Sequence, residues 1–143
     1  MELLIFFLGI ATSLLSYIGY NFLLKPIISL NEFKAKIGHT LTYYSHIITS
    51  PGRGKLADEA SPIIRDLAFE LEEKYLLVPL NKLATFFRLI PARNSVVTVK
   101  GQIIFMSNSV SADGKTDQNH KALEEVFTLL NIKELEPRNN NKK

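Results

Sequence analysis

From Leu3 to Leu24 the chain reads LLIFFLGIATSLLSYIGYNFLL, a run without a single charged residue. Twenty-two helical residues at about 1.5 Å each span roughly 33 Å, enough to cross a hydrocarbon core of about 30 Å with a little tilt. The run predicts one transmembrane helix over residues 1–25. A cleavable secretory signal would carry a basic leading region, a shorter apolar run and a small-residue cleavage site. Only Met1 and Glu2 precede this run, and large residues follow its small ones, which favours a retained anchor.

After the anchor the pattern changes to alternating apolar and polar faces. Pro26 is expected to break the first helix, and Ser29 with Glu32 gives the S-x-x-E capping-box spacing for a new one. Leu30, Phe33, Ile37, Leu41, Tyr44 and Ile48 then recur at steps of three and four, predicting an amphipathic helix to about Thr49. The cluster Ser50-Pro51-Gly52-Arg53-Gly54-Lys55 predicts a loop. Ser61-Pro62 reads as the start of a third helix, with Ile63, Leu67, Leu71 and Tyr75 inward and Glu70 spaced to pair with Lys74. Pro79 ends it. Leu80 to Ile90 predicts a shorter helix packing through Leu83, Phe86, Phe87 and Ile90, closed by Pro91.

Residues 94–106 admit two readings. Their β-branched content suits a hairpin turning at Lys100-Gly101, whereas Val96, Val99, Ile103, Met106 and Val110 form a helical stripe that Ser95 can cap. The helical reading is preferred here. After a loop at Asp113-Gly114, Asp117 can cap a final helix with Leu123, Val126, Leu129 and Leu130 on its core face. Pro137 to Lys143 lacks apolar residues and is expected to be disordered. The predicted class is all-α: an anchor at 1–25, a helical domain at 26–136 and a tail at 137–143, the alternative being α+β with a hairpin near 96–106.

Within the anchor Gly9, Thr12, Ser13, Ser16 and Gly19 form a stripe of small residues, a surface along which membrane helices can approach closely. Small residues are also common in membrane helices generally, so the stripe allows self-association without requiring it. Tyr17 and Tyr20 suit the headgroup level. Lys25, Lys34 and Lys36 follow the anchor, and basic flanks tend to stay cytoplasmic. The expected placement is a single pass through a bacterial inner membrane, N-terminus outside and domain in the cytoplasm.

The roughly 118 residues after the anchor suit one domain. Net charge is +3 and cysteine is absent, which removes disulfides, thiol nucleophiles and thiolate metal sites. Acids are missing from Phe33 to Ala57, where Lys34, Lys36, Arg53 and Lys55 fall. They are missing again from Lys74 to Ala112, where Lys82, Arg88, Arg93 and Lys100 fall. Such segregation can present a positive surface to a nucleotide, nucleic acid or lipid headgroup, unless acids elsewhere in the fold lie against these cations.

Catalysis by hydrolysis needs a nucleophile with a base, paired carboxylates or an open metal site, and no such motif is present. His39 and His46 lie two helical turns apart, too far to share a metal, and His120 has no catalytic partner in sequence. The glycine-rich loop at 50–55 lacks Walker spacing. The expectation is a non-enzyme with no cofactor, catalytic residue or metal ligand. Arg93-Asn94-Ser95 at a helix start offers free N–H groups and a guanidinium to phosphate, while Ser107-Asn108-Ser109 offers amide and hydroxyl groups. The candidate ligand set is Arg93, Asn94, Ser95, Ser107, Asn108, Lys82, Arg88, Lys100, Arg53 and Lys55. The simpler alternative is that Asn94 and Ser95 only cap and Ser107 to Ser109 only end a helix.

The segments RDLAFELEEKY, VPLNKLATFFRLIPAR and QIIFMSNSV, between Arg65 and Val110, resemble a pattern of small bacterial single-pass proteins of unknown role, and this stretch of the chain carries no catalytic motif. A short anchor joined to a small basic domain also resembles, in architecture alone, the membrane-bound cyclic-oligoadenylate effectors of type III CRISPR antiviral systems. That resemblance implies an oligomer that binds a cyclic oligonucleotide and rearranges its membrane helices; it carries over no individual residue. The expected partners are the lipid bilayer, further copies of the chain and an anionic ligand of that kind, with no duplex nucleic acid. The rival expectation is an accessory subunit that docks onto a membrane complex through apolar surface such as Phe86 and Phe87.

Overall fold

The computed structural model describes residues 1–52, 54–110 and 115–132. The Asp113-Gly114 loop, Arg53 and the tail from Pro137 lie outside the described residues. Among those described there are seven α-helices and no strand.

Helix α1 (Glu2–Gly19), a π-helical turn (Tyr20–Leu24) and α2 (Lys25–Tyr43) run as one continuous helix of 42 residues. Pro26 therefore does not break the anchor. A proline in a helix lacks an N–H and crowds the carbonyl four residues back. Here the turn before it is widened, with Lys25 N–H bonding to Tyr20 O across five residues, and π turns of this kind absorb such insertions within a helix. Ser29 and Glu32 consequently sit inside the helix and form no capping box; the Ser29 hydroxyl accepts from Lys74 Nζ at 3.1 Å instead.

The two halves of this helix differ in what surrounds them. No residue of α1 is buried, and the first part of the helix is long and apolar enough to span a membrane. In α2 the expected stripe of Leu30, Phe33, Ile37 and Leu41 is buried. Gly38 is buried with them because α2 runs tight against the end of the last helix, where a Cβ would meet Ile132 Cγ2 at 2.8 Å. The helix stops at Tyr44, and a separate short α3 (Ser45–Thr49) carries Ile47 and Ile48 into the core.

Helix α4 (Lys55–Leu76) begins two turns earlier than expected and holds Pro62 inside it. Its core face is Ala57, Ala60, Ile64, Leu67, Ala68, Leu71 and Tyr75, while Ile63 is exposed. A strict four-residue repeat advances about 40° per step around the helix, so the predicted stripe drifts off the buried face at its N-terminal end and Ile64 replaces Ile63. Glu70 pairs across to Lys36 at 2.8 Å and not along the helix to Lys74.

The next segment departs furthest from expectation. Leu80 and Arg88 both adopt left-handed backbone, with φ of 52° and 58°, and confine α5 to Asn81–Phe86. Fewer than two turns can turn few side chains inward. Ala84 and Ile90 are buried, whereas Leu83, Phe86 and Phe87, expected to pack, face outward.

Helix α6 (Arg93–Ser109) settles the ambiguous stretch as helix, and Val96, Val99, Ile103, Met106 and Val110 are all buried. It lies between α4 and α7 (Thr116–Leu130). Asp117 falls in the first turn of α7 and not at its cap, and Ala122 and Phe127 join Leu123, Val126 and Leu130 in the core. Gly101, the expected turn residue of a hairpin, is instead mid-helix with open space where a Cβ would stand. Gly101→Ala should therefore stabilise the domain by about 0.5–1 kcal/mol through the helical preference of alanine. A denaturant titration with an unchanged or lower midpoint would contradict that.

Candidate functional site

Helices α4 and α6 run antiparallel, and this decides where each candidate residue stands. Ser61 near the start of α4 meets Ser107 near the end of α6, and Glu72 near the end of α4 meets Lys100. The two halves of the candidate set are thus separated by the length of α6. Ser95 and Ser107 are about 18 Å apart along its axis.

At the far end the polar groups are already engaged. Ser61 Oγ donates to Ser107 O at 2.8 Å, and Ser107 Oγ donates to Ser61 O at 3.0 Å. Arg65 reaches both Ser107 Oγ, through Nε, and Asn108 Oδ1, through its terminal nitrogen. The Ser109 hydroxyl shares its one proton between Met106 O and Asn119 Oδ1. These bonds clamp α4 to α6 and α6 to α7. Arg65 was missed as a site residue in sequence, although its spacing four residues after Ser61 puts both on one side of α4. Gly52 N–H donates to Val110 O, which holds the turn before α4 at this same end, where Lys55 is exposed and lies 3.9 Å from Glu59. Arg53 is outside the described residues.

Several cations of the acid-free stretches are matched by α4. Lys36 bonds Glu70, and Lys100 bonds Glu72 while standing 5.5 Å over the Phe69 ring. His39, Tyr43 and His46, which follow Lys36 along α2 and into α3, are exposed rings, and the ammonium beside them is taken by Glu70. His120 lies 3.2 Å from Glu124 on α7, both side chains well exposed.

The near end is different. Arg93, Asn94 and Ser95 occupy the first three positions of α6, with Arg93 and Asn94 exposed. Ala92, with extended backbone, precedes them and supplies no side-chain cap, so the first-turn N–H groups point outward at the positive end of the helix dipole. Lys82 on α5 and Arg88 just beyond it are exposed as well. Among the described residues none of Lys82, Arg88 and Arg93 has an ion-pair partner. Thr85 Oγ1 donates to Pro91 O at 3.4 Å, joining α5 to the approach to α6. Asn31 Nδ2 donates to Leu89 O at 3.3 Å, and Asn31 Oδ1 accepts from Lys34 Nζ at 3.3 Å. This chain fixes the near end against α2. Burial pushes the half-buried Lys34 ammonium below its usual pKa.

Arg93, Asn94, Ser95, Arg88 and Lys82 therefore stand at or before the start of α6, Ser107, Asn108 and Lys55 at its far end, and Lys100 between them, held by Glu72. No protein-family model, curated protein or solved structure matches the chain.

Proposed function

We propose that this chain is a non-enzymatic membrane effector. Its first helix spans a bacterial inner membrane with the N-terminus outside, and its cytoplasmic domain binds an anionic ligand at the near end, through Arg93, Asn94 and Ser95. The ligand class is a phosphate-bearing oligonucleotide, a cyclic one being what the architectural resemblance suggests. Binding rearranges an oligomer of anchors.

The observation that carries this reading is the unbroken helix from Glu2 to Tyr43. Its second half is built into the domain core through Leu30, Phe33, Ile37 and Leu41, so a movement of the domain is a movement of the anchor. The surface of α1 supports contact between copies: Thr12 and Ser13 return their hydroxyls to Leu8 O and Gly9 O, and nothing lies within 4 Å of where Cβ atoms would stand on Gly9 and Gly19.

The test is calorimetric titration of the full chain in detergent with linear and cyclic oligonucleotides at low salt. Binding is expected, and Arg93→Ala should weaken it by about tenfold or more, the equivalent of about 1.5–3 kcal/mol for a hydrogen bond to a charged group. Circular dichroism should be unchanged, since Arg93 is exposed. Failure of every oligonucleotide to bind would end this reading. The outward Phe86 and Phe87 favour a second one, an accessory subunit of a membrane complex, and recovery of only homo-oligomer in a detergent pull-down would count against it.

A further inference from the structure

Among the described residues, the stretch between α4 and α6 is the part of the domain whose large apolar side chains crowd the surface. Leu77, Leu80, Leu83, Phe86, Phe87 and Leu89 are all exposed, Phe86 at 78%. Elsewhere in the domain such residues are scattered along separate helices, as with Leu56 and Phe69. A contiguous patch of this kind marks a surface that is covered in use.

What covers it follows from where it lies. Phe86 and Phe87 meet edge to face with ring centres 5.4 Å apart. Leu80 and Leu83 line two adjoining depressions, one shared with Lys82 and Phe86. The other is a cavity of about 200 Å³ walled on its opposite side by Leu23, Leu24 and Ile27. Those three residues close the apolar run of the long helix and open the part that enters the domain. The patch is thus continuous with the lipid-compatible surface of that helix, at the depth where roughly 33 Å of apolar helix ends. Lys82 and Arg88 border it, and Lys25 is exposed next to Leu24, so cations stand at the level of phosphate headgroups.

We propose that Leu77 to Leu89 is a second membrane contact, an interfacial segment whose leucines and phenylalanines enter the leaflet from which the anchor emerges while Lys82 and Arg88 meet anionic headgroups. This rests on the reading of the first helix as membrane-spanning. Short elements with an apolar face and a cationic border lie in the bilayer interface in this way. The domain is then held by two points, a spanning helix and a flat apolar foot beside it.

The chain contains no tryptophan, so Phe86→Trp introduces a single reporter at an exposed position. The full chain carrying it is reconstituted into vesicles of phosphatidylcholine and phosphatidylglycerol, with and without bromine on the upper acyl chain. The expected result is blue-shifted emission that the brominated lipid quenches. Leu56→Trp, at the opposite end of α4 about 30 Å away, should emit as a water-exposed indole and stay unquenched. Leu14→Trp, quenched by deeper bromines, reports the anchor itself. Quenching at position 14 without quenching at 86 overturns the foot and leaves the anchor standing; quenching at neither overturns both. Blue-shifted but unquenched emission at 86 means that a second copy or another protein covers the patch, and also overturns the proposal. Leu83→Trp repeats the measurement on a neighbouring exposed position, and circular dichroism of each variant confirms that the helices persist.

Discussion

Ile103→Ala is expected to destabilise the domain by about 2–5 kcal/mol, the cost of removing a buried branched side chain from a packed core. Ile103 is fully buried on α6, which lies between α4 and α7. The cavity it left would open at the centre of the three-helix contact, with rigid helices on two sides and little chance to collapse. Val97→Ala supplies the contrast. Val97 is 59% exposed on the same helix, and its loss should cost no more than about 0.5 kcal/mol. In a hairpin turning at Lys100-Gly101, Ile103 would pair with Thr98 on one face while Val97 lay with Val99 on the other, so burial of Val99 would bring Val97 in as well and raise its cost. Chemical denaturation of the full chain in detergent, followed by far-ultraviolet circular dichroism, separates the two. Equal losses for both variants would mean that the helical face is misplaced.

The second large effect is expected at Asn119, whose substitution by alanine should cost about 2–4 kcal/mol. Asn119 is fully buried. Its Nδ2 donates to Ile48 O at 2.8 Å, and its Oδ1 accepts from the Ser109 hydroxyl. One amide thereby joins α3, α6 and α7. Alanine would leave a buried carbonyl without this donor and weaken the pairing of a buried hydroxyl, and each loss costs about 1–3 kcal/mol in an environment that water does not reach. Asn119→Asp tests the same bond by charge: it keeps the acceptor, removes the donor to Ile48 and should be at least as damaging. A denaturation midpoint within error of the parent for both variants would show that Asn119 contributes nothing to joining these helices.

What the sequence revealed, and what it hid, follows from the range of the interactions involved. The stripes of α2, α6 and α7 were legible because each follows helical periodicity over three or more turns, and periodicity is local. Pro26, Ser29, Ser61 and Pro62 misled for a single reason. Capping and breaking signals are statements about a chain in isolation, and here packing carries the helix through them: a π turn accommodates Pro26, and bonds to α6 hold the turn around Ser61. The outward turn of Phe86 and Phe87 depends on the left-handed backbone at Leu80 and Arg88, two residue types that seldom adopt it. Of the candidate site, Arg93-Asn94-Ser95 stood at a helix start as expected. Ser107 and Asn108 did not join it, because they lie more than three turns further along the same helix; what was not legible is that Ser61 and Arg65, over 40 residues away in sequence, would engage them. Likewise, nothing local could tell that Lys36 and Lys100 would lie against Glu70 and Glu72.

The turn at Tyr20–Leu24 sets the azimuth of α1. A π turn holds one residue more than the α turn it replaces, so tightening it into a regular helix would rotate α1 about its own axis by about 100° relative to the domain, with no bend and almost no change in length. The side of α1 that carries Gly9, Ser13 and Ser16 therefore faces its surroundings at an angle fixed by five residues at the C-terminal end of the apolar run. Two states of α1 that differ only in this twist would look alike in outline and present different side chains to their neighbours.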